Sequence, residues 1–192
     1  MRDILKLGVI LMLYSLIAGG ALAFVNGKTL PLIAENKALG ETRALAEVLP
    51  GMGGGFDERK NEGGKLSYWV GYRDAGKTEI GGYIFIARRS GYSSIIESMV
   101  GFDTNGAIVG VKILSQKETP GLGAKIQEVR RGETDPWFPR QFIGKTVSDD
   151  IKVKKDGGDI DAITGATISS RAVTDSINSG LRELMKTIGG RS

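Results

Sequence analysis

Two short segments carry residues whose types and spacing suit chemistry. Asp161-Ala162-Ile163-Thr164-Gly165-Ala166-Thr167 runs into Ile168-Ser169-Ser170 and then into an amphipathic stretch. Thr164, Thr167, Ser169 and Ser170 thus crowd hydroxyls where a helix begins. A helix N-terminus has unpaired N–H groups and a partial positive charge, so a phosphate is stabilised there. Gly165 and Ala166 add little bulk and leave the backbone open to a large group. The structural alternative is N-capping by a Ser or Thr, but one hydroxyl would serve that purpose and four are present. The second segment is Glu118-Thr119-Pro120-Gly121-Leu122-Gly123. Pro120-Gly121 is a turn signal, and two glycines bracket one leucine. Such a turn holds an apolar side chain out on a tight backbone, or is an ordinary strand-to-helix loop. Pattern alone leads to an anion near a helix N-terminus and no further.

Composition limits the rest. The 192 residues include neither Cys nor His. Disulfides, thiolate zinc sites and Cys-ligated iron–sulfur clusters all need Cys. A Ser/His/Asp triad and a His general base need His. No catalytic group and no metal-ligand set is therefore expected in this chain. Chemistry must run on hydroxyls, carboxylates, Lys/Arg, backbone amides or a cofactor they bind. The net charge of +4 has no block of basic residues behind it, so no nucleic-acid partner is expected. Glycine stands at 29 residues, about twice the usual ~7%. That excess implies many tight turns or backbone that approaches something closely.

The elements that position the two segments can be read in outline. Leu7 to Val25 is free of charge, and at ~1.5 Å per residue it makes about 28 Å of helix, enough to span a bilayer core. A cleaved signal peptide is the alternative, because Ala21-Leu22-Ala23 resembles a processing site. Either reading places the remainder on the far side of a membrane. Thr29 to Leu49 reads as a second helix with Pro31 in its first turn and Leu32, Leu39, Leu45 and Leu49 among the apolar residues at helical spacing. Pro50 and the Gly51–Gly55 run end it. Leu66–Tyr72 and Ile80–Ala87 form one expected hairpin. Ser94–Phe102 and Ala107–Leu114 form another around Asn105-Gly106. Gly121–Arg131 suggests a short helix, and Trp137, Phe138, Phe142 and Ile143 supply apolar bulk after it. Ile151–Lys155 suggests a strand, and Ser170–Ile188 an amphipathic helix with Val173, Ile177, Leu181, Leu184 and Ile188 on one face, stopped by Gly189-Gly190. Hairpins with segregated helices imply an α+β fold: a single N-terminal transmembrane helix, then an antiparallel sheet with flanking helices. The expected divisions are 1–27 for the anchor, 28–60 for the helix and Gly-rich linker, and 61–192 for the soluble domain.

The motifs also carry a resemblance. Asp161–Thr167 resembles the flavinylation motif of the FMN-binding domain family. Glu118–Gly123 is similar to a second signature of that family, and Gly91-Tyr92-Ser93-Ser94 with Val100-Gly101 to a third. The resemblance implies covalent FMN, joined by a phosphoester to Thr167. It implies that Thr164, Gly165 and Ala166 line the phosphate and that Thr119, Gly121 and Leu122 contact the isoalloxazine ring. It further implies a flavin transferase for maturation, using FAD and Mg²⁺. The expected role is that of a single-pass electron-transfer subunit in a bacterial cell membrane, with its soluble domain on the extracytoplasmic side. Its partners would be other membrane subunits of an ion-translocating oxidoreductase. Many relatives have His two residues before Glu118, where this chain has Gln116, so a proton-transfer role there does not carry over. The alternatives outside redox chemistry are a sensory or assembly module binding flavin or another anion reversibly, and a scaffold.

Overall fold

The computed structural model describes residues 2–60 and 67–189. The chain divides into two compact units, Met1–Glu41 and Thr42–Ser192. In the first unit every described side chain is exposed except that of Glu41, which is partly so. Its described residues belong to helix α1, Arg2–Val48, which contains one stretch long and apolar enough to cross a membrane, with none of that stretch buried. A core helix of a soluble protein would be covered; this one presents Leu11, Leu16, Ile17, Leu22 and Phe24 outward.

The sequence suggests a helix break before Thr29, but α1 runs through it with Pro31 inside. Pro31 removes one helical N–H donor, and the flanking residues still hold helical geometry. The Thr29 hydroxyl bonds back to the Val25 carbonyl at 3.0 Å, tying off that turn. Of the apolar residues at helical spacing, Leu32 and Leu39 are exposed, whereas Leu45 and Leu49 are buried.

The second unit is built on a five-stranded antiparallel meander in the order β1-β2-β3-β4-β5. The strands are β1 Gly55–Lys60, β2 Ser67–Tyr72, β3 Ile80–Ser90, β4 Ile95–Asp103 and β5 Ile108–Ser115. Leu66, expected at the start of β2, lies outside the described residues, as does Gly190. The β4–β5 turn follows its sequence signal. Gly106 takes a φ of +83°, and Asp103 Oδ1 accepts from the N–H groups of Asn105 and Ala107. In the β2–β3 turn, Asp74 accepts from the Glu79 N–H and from the Thr78 hydroxyl and N–H. These bonds hold its carboxyl down at about 2.

Strand alternation sends side chains to two faces. Ile84, Ile86 and Met99 join Ala44, Leu45, Val48 and Leu49 at the end of α1. Phe85, Ala87, Val100 and Phe102 point the other way, into the larger core. That core is closed by the last helix, Thr167–Gly189, through Val173, Ile177, Leu181 and Leu184. Part of the glycine excess has its cause here. Gly101 and Gly110 are register partners on β4 and β5, and a Cβ on either would sit 2.4 or 2.6 Å from the Val48 carbonyl oxygen. The end of α1 therefore rests directly on sheet backbone.

Three local expectations change. β1 had no strand signal, because Gly55-Phe56-Asp57-Glu58-Arg59-Lys60 is largely charged and pairs at a sheet edge. Gly121–Arg131 contracts to a 3-10 turn at Gly123–Gln127, after which Glu128 is extended. Ile151–Lys155 forms a single parallel bridge, Val153 to Ile160, followed by a 3-10 turn at Lys154–Asp156. The Gly157 φ of +87° reverses the chain there and leaves no room for a ladder. Between these segments lies α2, Trp137–Arg140, which buries Phe138; Phe142 is also buried, whereas Ile143 is exposed. The last helix, Thr167–Gly189, is α3.

Candidate functional site

Thr167 is the first residue of α3. The turn before it is shaped by Gly165, whose φ is +78°, with the Ala166 N–H bonded to the Ile163 carbonyl at 2.9 Å. A residue with a side chain would be strained in that left-handed conformation. Ser170 fixes the turn to the helix. Its Oγ accepts from the Ile163 N–H and donates to the Ala166 carbonyl, each at 3.0 Å. Its hydroxyl is therefore used in structure. Thr167 has a different contact: Lys155 Nζ donates to its Oγ1 at 3.2 Å.

A cleft of about 430 Å³ opens at this helix start. Thr167, Ala166 and Gly165 line one side, and Thr119 and Leu122 come from the loop after β5. Two segments far apart in sequence thus meet across one cavity. Leu122 is 44% exposed and Tyr92 72% exposed, and both border the cleft. With Ile168, also exposed, they give it apolar and aromatic walls beside a hydroxyl and a cation. Its volume lies in the ~300–1,000 Å³ range of small-molecule sites.

Two residues singled out in the sequence stand apart from this cavity. Thr164 lines a second cleft of about 550 Å³, with Lys125, Arg130, Trp137 and Arg140. Gly121 lines neither cleft; its φ of +77° makes the turn that presents Leu122. There is open space where a Gly121 Cβ would be, so the backbone conformation alone favours glycine.

Glu118 holds the arrangement together. It is only 5% exposed. Its Oε1 accepts from the N–H groups of Ser93 and Ser94 at 3.0 and 2.9 Å and from the Ser94 hydroxyl at 3.1 Å. Its Oε2 accepts from the Tyr92 N–H at 3.0 Å and the Ser169 hydroxyl at 2.5 Å. One carboxylate therefore ties the 91–94 loop, the 118–123 loop and the first turn of α3. Burial alone would raise its pKa, but these bonds together, led by Ser169, bring it below the ordinary value. Two glycines make room for it. A Cβ on Gly91 would meet Glu118 Oε1 at 2.8 Å, and one on Gly123 would meet Ser169 Oγ at 2.6 Å.

Gln116 also has a structural task. Its Oε1 accepts from the Glu118 N–H at 2.7 Å and its Nε2 donates to Gln127 at 3.0 Å. The side chain that stands at the His position thus brackets the Glu118 loop. Glu118, Tyr92 and Lys155 at the cleft are residues that the sequence pattern does not single out one by one. Glu118 and Tyr92 lie inside two of the three motifs, so a signal existed. Lys155 sits in an ordinary run of charges and carried none.

Residues 91–182 match the FMN-binding domain family, and this stretch contains every segment that forms the cleft. The chain is 34% identical to the G subunit of the ion-translocating oxidoreductase complex of Shewanella amazonensis, covering 92% of this chain and 86% of that protein. It is 31% identical to the G subunit of the Na⁺-translocating ferredoxin:NAD⁺ oxidoreductase complex of Acetobacterium woodii, over 94% of this chain and 91% of that protein. It is also similar to the crystal structure of Shewanella oneidensis NqrC, with a TM-score of 0.47 and 23% identity, covering 60% of this chain and 55% of that chain. The chain belongs to the family formed by the G subunits of ion-translocating oxidoreductase complexes.

Proposed function

We propose that this chain is the flavin-carrying electron-transfer subunit of an Rnf-type ferredoxin:NAD oxidoreductase, with FMN held through a phosphoester on Thr167. What supports the reading is the meeting of Thr167 and the Thr119–Leu122 loop across one cleft. A hydroxyl at a helix N-terminus suits the phosphate end, and a projecting leucine suits a flat apolar ring. FMN supplies the redox chemistry when bound; the protein supplies position and electrostatics. Thr167 Oγ holds the phosphate, and Gly165 and Ala166 keep that side open. Thr164, Thr119 and Gly121 complete the assigned set, Thr164 from the neighbouring cleft and Gly121 through its turn. Leu122 and Tyr92 shield the ring from water.

Attachment requires a partner enzyme in this reading. A flavin transferase uses FAD and Mg²⁺. Thr167 Oγ forms a new bond to the phosphorus of the FMN half, the phosphoanhydride bond breaks, AMP leaves, and the hydroxyl proton passes to the transferase. No oxidation or reduction occurs in that step. The donor and acceptor of electrons are cofactors in other membrane subunits of the Rnf complex, because a chain without Cys or His holds no Cys-ligated cluster. The α1 stretch anchors the chain in the cell membrane, and the five-stranded sheet with its flanking helices is the extracytoplasmic flavin domain. A covalent link prevents loss of a flavin exposed on that side.

The test is in-gel flavin fluorescence after denaturation, together with intact mass, on full-length protein made with a flavin transferase. Wild type should fluoresce and carry the FMN mass; Thr167→Val should show neither. Covalent flavin persisting in Thr167→Val refutes the attachment site. Flavin released from the wild type by acid, with no mass shift, supports the reversible flavin- or anion-binding module instead.

A further inference from the structure

Most cations around the start of α3 are paired with carboxylates. Lys152 meets Asp150 at 2.9 Å, Lys154 meets Asp161 at 2.8 Å, and Arg171 binds Asp156 through two bonds. Lys155 forms no ion pair among the described residues. Its Nζ instead donates to Thr167 Oγ1 at 3.2 Å, and Lys155 lines the same cleft as Thr119 and Leu122. Its position is fixed by the fold. The Val153–Ile160 bridge and the left-handed Gly157 carry this loop back beside the α3 N-terminus.

We propose that Lys155 is the counter-ion of the flavin phosphate, and that it acts both while the Thr167 ester forms and afterwards. The inference rests on the Thr167 reading. The phosphodiester keeps one negative charge, and an ammonium within hydrogen-bond reach of the ester oxygen lies close to its non-bridging oxygens. Hydrogen bonds from a cation to an anion are about twice as strong as neutral ones. An ammonium held beside those oxygens would also stabilise the charge that develops on them during transfer to Thr167, and so lower the barrier. Ser169 is spent on Glu118 and Ser170 on the 163–166 turn, which leaves Thr167 as the hydroxyl that Lys155 contacts.

The experiment uses the full-length chain in detergent with flavin transferase, FAD and Mg²⁺, following covalent loading by in-gel fluorescence and intact mass. Lys155→Met is expected to load about tenfold more slowly than wild type, a barrier change of about 1.4 kcal/mol. Lys155→Arg is expected to recover most of the rate. Thr167→Val is the control for the parent reading and should stay blank. After prolonged loading, ³¹P NMR of the holoprotein gives a readout that simple loss of rigidity would not reproduce. The resonance should move in Lys155→Met and return towards wild type in Lys155→Arg. Loading of Lys155→Met at the wild-type rate, an unmoved ³¹P resonance, or blank loading in both Lys155 variants overturns the proposal while leaving Thr167 as the site. Loading of Thr167→Val overturns the attachment reading, and this proposal with it.

Discussion

Replacing Glu118 by Gln probes whether one carboxylate organises the site. The amide can keep an oxygen where Oε1 accepts three bonds from Ser93 and Ser94. Its NH₂ then falls where Oε2 accepts from the Tyr92 N–H and the Ser169 hydroxyl. Ser169 can rotate and accept instead. The Tyr92 N–H cannot, and faces another donor. Leaving one such donor unsatisfied costs about 1–3 kcal/mol, and the charge that strengthened the other bonds is gone. The expected loss is about 2 kcal/mol, a large share of a typical ~5–15 kcal/mol stability. In a chain of this size it lowers the melting temperature by about 4–8 °C. The assay is thermal unfolding of the full-length protein in detergent, followed by tryptophan fluorescence. The pH dependence supplies a second check. The folded-state pKa of Glu118 is depressed, so the unfolded chain binds more protons between the two pKa values and stability rises with pH there. The stabilisation is complete above the ordinary 4.5 and is lost as pH falls through the lower folded value. The gap between wild type and Glu118→Gln should therefore be widest at neutral pH and close on acidification. A gap under about 0.5 kcal/mol at neutral pH, within the scatter of surface substitutions, or a gap that stays constant into acid, refutes the reasoning.

Two further substitutions separate packing from cofactor contact. Gly180→Ala places a Cβ 2.3 Å from the ring of the fully buried Phe85; overpacking at about 1–3 kcal/mol outweighs the ~1 kcal/mol helix gain of Ala, so unfolding should come earlier, and a stabilised variant disproves the contact. Leu122→Ala removes a half-exposed side chain, so thermal stability should change by less than about 1 kcal/mol; iodide should quench the flavin fluorescence of the loaded protein more strongly than in wild type, and equal quenching removes Leu122 from the ring.

What could be read in the sequence was what local rules govern. Asn105-Gly106 placed the β4–β5 turn, and the spacing of Val173, Ile177, Leu181 and Leu184 placed the buried face of α3. Two of the misses share one cause: tertiary context overrode local pattern. Ile151–Lys155 alternates like a strand, yet Gly157 and Gly158 turn the chain after a single bridge. β1 is too charged to announce itself and exists because β2 offers it a partner. α1 continues through Pro31 where a boundary was expected. At the site, the hydroxyl cluster and the projecting leucine were legible, but their division of labour was not. Ser169 and Ser170 look equivalent to Thr167 in sequence. Only the fold shows that they are bonded to Glu118 and to the 163–166 turn.

That division bears on how the parts of the site depend on one another. In the proposed arrangement the 91–94 and 118–123 loops face the ring, and α3 and the Lys155 loop face the phosphate. The two sides are joined at Glu118, whose Oε2 bonds Tyr92 on one side and Ser169 on the other. A lesion confined to the phosphate side, such as Thr167→Val, leaves every Glu118 bond intact and should cost attachment without loosening the domain. A lesion at Glu118 acts on both sides at once, since Tyr92, Leu122 and the first turn of α3 lose a shared anchor. Stability and flavin loading should therefore fall together in Glu118 variants and separately in Thr167 variants. Covalent linkage fixes only the phosphate end of the flavin in the proposed arrangement. The ring environment is then set by the loops that Glu118 holds, so this one carboxylate governs how well the ring is covered.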